Sequence, residues 1–319
     1  MLRYASQRLV VLLVSLVLAS VLIFVILRWL PGDSAGGTLG VGATSDQLEE
    51  LRRQLGTDRP AAEQYSEWIG GLVRGDAGDS FLSRAPVAEL IAARLPVTLP
   101  LSLAAFALSV LISLPIGVLA AVRRRKPSGA LISIASQLGV AVPIFWVGVI
   151  LIAIFALNLG WLPPGGFPRQ GWQAPGEAIR ALILPALTIA IAMSAVMIRY
   201  IRSATLDVLD QDYIRTARAL GYSRWQALAR HGLRNAAVPV VAILGIELAT
   251  SMLGAVVVEA VFDLPGVGSL LLSSVVGRDL AVVQTLVLAI TATVLVINLG
   301  VDLAQRVIDP RLRTTVVTR

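Results

Sequence analysis

The chain has 319 residues, of which 56% are hydrophobic and only 15% charged, with a formal net charge of +7. A soluble domain averages about 25% charged residues, so this composition and a mean hydropathy of +0.79 describe an integral membrane protein. The absence of cysteine excludes disulfides and iron–sulfur ligands, and a single histidine, His231, excludes a multi-histidine metal site.

The only lysine, Lys126, follows three arginines and not a glycine-rich phosphate cradle, so any ATP must be bound by another chain. In chain order, six stretches are long and apolar enough to cross a hydrocarbon core of ~30 Å. They are Leu9–Leu27, Leu99–Val122, Leu131–Leu157, Ala181–Ile198, Ala236–Val258 and Ala281–Leu299. The first exceeds the ~7–15 apolar residues of a signal-peptide core and is expected to stay uncleaved.

Residues 31–95 are not membrane-like. SDQLEELRRQLG reads as a capped amphipathic helix ending at Gly56, and Pro60 starts a second helix with Tyr65, Trp68, Ile69 and Leu72 on one face. GDAGDSF (75–81) is turn-like, and RAPVAELIAARLP reads as a further short helix near the membrane surface. Prolines Pro100, Pro115, Pro143, Pro185 and Pro239 fall within the spans, where each tends to kink a helix. The Pro/Gly/Trp-rich segment 159–178 reads as an ordered loop, with Trp161, Phe167 and Trp172 suited to the interface. Residues 261–280 suggest a turn at Pro265–Gly268 and then a short re-entrant or surface helix.

Basic residues set the orientation. Seventeen of the 27 lie on the side shared by the N-terminus, the loops near 123–130 and 199–235, and the C-terminus. The positive-inside rule places both termini in the cytosol and residues 31–95 outside. The basic balance is thus topological and does not imply nucleic-acid binding.

Within that cytosolic surface, Asp212–Arg234 is the most informative segment. Leu206, Leu209, Tyr213, Ala217 and Leu220 recur at helical spacing on one face. Gly221 follows as a left-handed cap, and Ser223 with Gln226 forms a capping box that starts a second helix carrying Trp225, Leu228 and Leu233. A helix–Gly–helix elbow tethered by two spans can dock into a groove on another protein. Tyr213, Leu220 and Trp225 offer apolar contact, Ala217 and Gly221 permit close approach, and Arg215, Arg218 and Arg224 can pair with acids. His231 reads as structural or solvated.

Deep in the fifth span, Glu247 is expensive: a charge at that depth costs at least ~2.5 kcal/mol on insertion scales. It is expected to meet a partner or to line a translocation path. Asp302 and Arg306 are spaced as a local i,i+4 helix pair.

YIRTARALGYSRWQALARHGLRNAAVP (213–239) resembles the coupling loop of ABC-importer permeases, in the form of the dipeptide/oligopeptide/nickel B-type subunits. The resemblance extends over LGTDRPAAEQYSEWIGGLVRGDAGDSF, PIFWVG, VVVEAVFDLPGVGSLL and NLGVDLAQRVIDPRLR. Where the general importer loop reads Glu-Ala-Ala this chain has Arg215, Thr216 and Ala217, and where it reads Ile-x-Leu-Pro it has His231, Leu233 and Arg234. That departure points to the peptide/nickel branch. The resemblance implies an all-α, six-span type I importer permease fold. It divides the chain into a first span (1–30), an extracytoplasmic helical segment (31–93), a permease domain (94–306, coupling loop 203–235) and a tail (307–319).

It further implies a multi-pass subunit of the bacterial cytoplasmic membrane that is not an enzyme and carries no cofactor. ATP and Mg would be held by two partner ATPases; the remaining partners would be a homologous C-type permease, an extracytoplasmic peptide-binding protein and membrane lipid. The coupling residues it implies are Tyr213, Arg215, Ala217, Leu220, Gly221, Arg224 and Trp225. From their location and aromatic content, segments 31–95, 159–178 and 261–280 are expected to form the platform for the binding protein. The cargo would be di- or oligopeptides, with nickel, a metal chelate or another small solute as the alternative within the family. From a different class, a proton-coupled secondary transporter would use Glu247 as its relay.

Overall fold

A computed structural model describes residues 2–29 and 58–308, together with positions 44, 46, 49, 50 and 53. Most of the helix expected over SDQLEELRRQLG, and the tail from residue 309, lie outside the described residues. The described residues are helical, with one isolated bridge, Asp79 to Pro86. We number the helices α1 (Leu2–Trp29), α2 (Ala61–Val73), α3 (Val87–Val122), α4 (Pro127–Ala141), α5 (Ile144–Leu151), α6 (Pro175–Leu209), α7 (Asp212–Ala219), α8 (Arg224–Ala227), α9 (Leu233–Val261), α10 (Val267–Val276) and α11 (Leu280–Ile308).

Among the described residues, five helical runs are long and apolar enough to cross a membrane, and a bent pair makes a sixth if counted as one span. The bent pair is the expected third span. Its two arms, Pro127–Ala141 and Ile144–Asn158, meet at 101°. Pro143 is the cause: it clashes with an α-helical preceding residue, and Val142 is accordingly extended at φ −82°, ψ 122°. Pro100, Pro115, Pro185 and Pro239 instead lie inside continuous helices.

The chain forms two compact units, Met1–Thr98 with Pro265–Val296, and Leu99–Leu264 with Ile297–Arg319. In the first, Tyr65 and Trp68 of α2 meet Phe24 of α1, with ring centroids 5.5 and 6.4 Å apart. The Ser20 and Tyr65 hydroxyls are 2.8 Å apart, and Trp68 Nε1 donates to Thr285 Oγ1 at 3.3 Å. The turn after α2 is pinned by the buried Asp279 carboxylate, which accepts from Ser80 Oγ at 2.5 Å and Phe81 N at 3.1 Å. Val87 then packs with Val267, Leu270, Val282 and Leu286.

That packing explains a difference from the sequence reading. RAPVAELIAARLP does not form a separate short helix; from Val87 onward it is the first part of α3, which runs unbroken to Val122. Burial of Val87 and its neighbours outweighs the prolines, and the junction expected at residues 93 and 94 falls inside this helix. The short helix expected within 261–280 is α10, but the turn lies earlier than Pro265–Gly268. Phe262 and Asp263 turn the chain, with Asp263 at φ +50° and Leu264 N bonded back to the Glu259 carbonyl at 2.9 Å, and Val267 and Gly268 already belong to α10.

In the second unit α6 is the central helix, packing against α4, α5 and α9. Its buried side is rich in small residues, including Ala181, Ala186, Ala190, Ser194 and Ala204. Lipid tails are as apolar as leucine, so between spans close van der Waals contact replaces the hydrophobic effect as the attraction, and small residues permit it. The 159–178 loop is anchored on the end of α9. Gly166 N donates to the Phe262 carbonyl at 2.8 Å, and a Cβ on Gly165 would stand 2.4 Å from that oxygen.

Because the obstacle is backbone, Gly165→Ala is expected to destabilise the protein by about 1–3 kcal/mol. Gly176→Ala, where a Cβ meets nothing within 4 Å, should stay within ~0.5 kcal/mol of the wild type. Thermal unfolding of the two variants in detergent checks both.

Candidate functional site

The elbow between α6 and α9 begins where α6 ends at Leu209. The face expected to run through one helix from Leu206 to Leu220 is interrupted there: Gln211 is extended (φ −73°, ψ 149°), and α7 starts afresh at Asp212. The restart turns Ile214 and Ala217 inward. They pack with Val122, Val208, Ala227, Leu228 and Ala236 in one buried cluster. Ala217 is 6% exposed, so it packs in the elbow's own core, whereas Leu220 (76%), Trp225 (48%) and Tyr213 (39%) present apolar surface outward.

The corner obeys local chemistry. Gly221 has φ +95°, its N–H reaches the Arg218 carbonyl at 3.0 Å, and the Tyr222 N–H reaches the Ala217 carbonyl at 3.3 Å. Those two bonds, spanning three and five residues backward, define a Schellman cap, whose left-handed residue is cheapest as glycine. Ser223 then caps α8: its Oγ accepts from Gln226 N at 3.3 Å, while its own N–H donates to Gln226 Oε1 at 2.9 Å. The expected capping box is present.

The second elbow helix is not an independent short helix. Arg224–Ala227 continues through a π-helical stretch, Leu228–Gly232, into α9, giving one run from Arg224 to Val261. The wide π turn absorbs an extra residue and leaves Leu228, Gly232 and Ala236 on the same buried side.

Polar contacts fix the elbow to its surroundings. Asn235 Nδ2 donates to Tyr213 Oη at 3.0 Å, and Arg224 Nη1 donates to the Val122 carbonyl at 3.3 Å. Arg215 pairs with Asp212 at 3.0 Å in full solvent, while Arg218 is exposed. His231 meets Tyr222 edge-on at 5.9 Å, and Arg230 lies 5.8 Å from that ring's centre.

Arg124 makes a bidentate pair with Asp210, both N–H···O distances being 2.7 Å. The Arg124 hydrogen bonds hold the Asp210 carboxyl below the usual carboxylate range against an opposing desolvation cost, with the charges of Arg124, Arg215 and Arg125 adding to the effect. A depressed carboxyl contributes its stabilisation above its unfolded value, ~3.9, and loses it only as pH falls through the lower folded value. The pair is therefore intact across the neutral range. Sequence reasoning missed both residues; the signal was Asp210 itself, one of few acids among the arginines of that surface.

Glu247 lies away from the elbow and is 7% exposed. One turn before it Leu244 packs on the cluster formed by Met197, Ile201 and Ala204 of α6 with Val240 of α9, and two turns after it Gly254 faces Ile144 of α5 and Ile189 of α6. By helical spacing Glu247 and Ser251 therefore lie on the α9 stripe between these contacts. No cluster of three metal-ligating side chains exists among the described residues.

Comparison with known proteins matches this architecture to one family. Residues 113–314 match the model of the binding-protein-dependent transport system inner membrane component, and residues 1–104 match the model of the N-terminal part of such membrane components. The glutathione transport system permease protein GsiC of Escherichia coli (strain K12) is 40% identical over 314 residues, 98% of this chain and 99% of that one. A Brucella ovis protein named as a peptide permease is 38% identical over 320 residues, 99% of this chain and all of its own length. Among solved structures, the MetNI methionine ABC transporter in an inward-facing conformation aligns with a TM-score of 0.59 at 19% identity, over 69% of this chain and 96% of that one. At that identity the likeness speaks for the fold alone.

Removing the Ser223 hydroxyl should cost about 1 kcal/mol, as for other N-caps, while leaving the spans intact. Amide exchange in a nanodisc should accordingly quicken over residues 223–228 in Ser223→Ala and stay unchanged within α6.

Proposed function

Since the chain belongs to the family of binding-protein-dependent transport system inner membrane components, it is an ABC importer permease subunit, and we propose that its cargo is short peptides. The whole-length relatives at 38–40% identity, named for glutathione and for peptides, support that cargo class. Glutathione is itself a tripeptide, so a single class of small, zwitterionic or anionic peptide covers both names. The proposed complex places a homologous permease beside this chain, two ATPases on the cytosolic side and a peptide-binding protein outside. Both termini face the cytosol in this reading, which follows the arginine distribution.

Coupling runs through the elbow. Its outward tip is apolar, with Leu220, Trp225 and Tyr213 carried on a frame fixed by the Schellman cap, the capping box and the buried cluster. That tip is the single observation that carries the reading: large apolar side chains in water are unfavourable, and a groove on a partner would cover them. A buried Trp at such a contact ranks among the residues that dominate binding. Arg215 and Arg218, exposed beside the tip, can meet acids on the ATPase. Closing of the ATPase pair on ATP then moves the elbow and the spans joined to it, and hydrolysis resets them. For Glu247 we propose contact with the translocation path as the α6 and α9 stripes separate. Glu247→Gln with unchanged uptake and unchanged peptide preference would remove that role.

In a purified complex, Leu220→Asp with Trp225→Ala is expected to weaken ATPase association by about 30-fold or more, the scale of a lost hot spot of ~2 kcal/mol. The permease should still fold and insert. Full ATPase recovery with both substitutions in place would contradict the docking role. In proteoliposomes, ATP-driven uptake of a labelled dipeptide should be competed by glutathione and by tripeptides, and not by free amino acids.

A further inference from the structure

We infer that Arg124 and Asp210 are positioning residues that make the end of α3 move as one body with the elbow, so that a push on the elbow reaches this span directly. The inference rests on the reading of the elbow as the ATPase contact. By covalent connection the elbow joins only α6 and α9. Arg124, two residues past the end of α3, is 86 residues from Asp210 in sequence, and Val122, the last residue of α3, is 102 from Arg224. Two polar contacts nonetheless attach it, one on each side of the elbow. Arg124 reaches Asp210, just before α7, and Arg224, in α8, reaches back to the Val122 carbonyl.

Between these two bonds Val122 sits in the elbow's own apolar cluster with Ile214, Ala217, Ala227 and Leu228. Three kinds of contact thus converge on one helix end. The turn that carries Arg124 is itself closed: Lys126 N donates to the Arg123 carbonyl at 2.8 Å and Gly129 N to the Lys126 carbonyl at 3.0 Å. A Cβ on Gly129 would lie 2.3 Å from the Arg123 oxygen, so the turn is packed too tightly for Arg124 to swing on a loose tether.

Position is the contribution here, more than stability. The Arg124 and Asp210 side chains are 28% and 54% exposed, and an ion pair that wet adds little to folding. A bidentate guanidinium–carboxylate pair, however, fixes both distance and orientation. Its loss should leave the fold standing and loosen the coupling.

The test uses the complete complex of permeases, ATPases and binding protein in proteoliposomes, with labelled dipeptide uptake and ATP turnover read together. Arg124→Ala and Asp210→Ala should each lower uptake per ATP about two- to five-fold, with ATP turnover and complex recovery retained. The exchange Arg124→Asp with Asp210→Arg should bring the ratio back toward wild type, which a merely structural role would not require. An unchanged ratio in both single variants overturns the inference. The chain has no cysteine, so Arg124→Cys with Asp210→Cys can be bridged selectively by a short bis-maleimide. Uptake that survives the bridge supports one rigid body, whereas uptake abolished by the bridge, in a pair that transports before bridging, means the two ends must separate and overturns it. Absence of ATP-driven uptake by the unmodified complex would instead overturn the importer reading itself.

Discussion

A lipid interior offers no partner for a backbone N–H or C=O, so every residue that crosses it must satisfy those groups within its own helix. That constraint explains why the described residues are helical nearly throughout, and it makes the departures informative. At 210–211 the chain leaves the α6 helix and restarts at α7; at 220–223 it turns a corner. The freed groups at the corner are taken up by the Ala217 and Arg218 carbonyls and by the Ser223–Gln226 reciprocal bonds. The corner of the elbow is therefore held by its own backbone bonds and one reciprocal side-chain pair, and its exposed side chains stand on that frame.

The same economy appears inside the frame. Ile214, Ala217, Ala227, Leu228 and Val122 supply a small core to a segment that would otherwise be a mobile loop. Once that core faces inward, Leu220, Trp225 and Tyr213 have no alternative but to face outward. Folding and presentation are thus one event: the buried Ile214, Ala217, Ala227 and Leu228 interleave in sequence with the outward Leu220 and Trp225, while Tyr213 serves both sides, its ring exposed and its hydroxyl held by Asn235. In the other unit the Asp279 carboxylate does comparable work, tying the turn at Ser80 and Phe81 to the start of α11.

Local chemistry was legible in the sequence, and tertiary consequences were not. Gly221 and the Ser223–Gln226 pair announced their cap and capping box because both depend on a few adjacent residues. Six apolar runs announced a multi-span protein for the same reason of composition. Three features escaped. α3 runs from Val87 because its first turns are buried against Val267 and Leu286, which no local pattern reveals. Prolines look alike in sequence, yet Pro143 divides a span while Pro185 sits inside α6. The inward face of α7 moved from the Leu206–Leu220 stripe to Ile214 and Ala217 because the helix restarts beside Asp210, whose partner, Arg124, is 86 residues away.

In the function proposed, this chain works as one subunit of an ATP-driven assembly, gripped through its elbow. Mild-detergent purification of the tagged chain from its native membrane, with bound proteins identified by mass spectrometry, tests it most directly. A homologous permease and two P-loop ATPases should co-purify in fixed proportion. Recovery of the chain alone, from a preparation in which other membrane complexes stay intact, would contradict it.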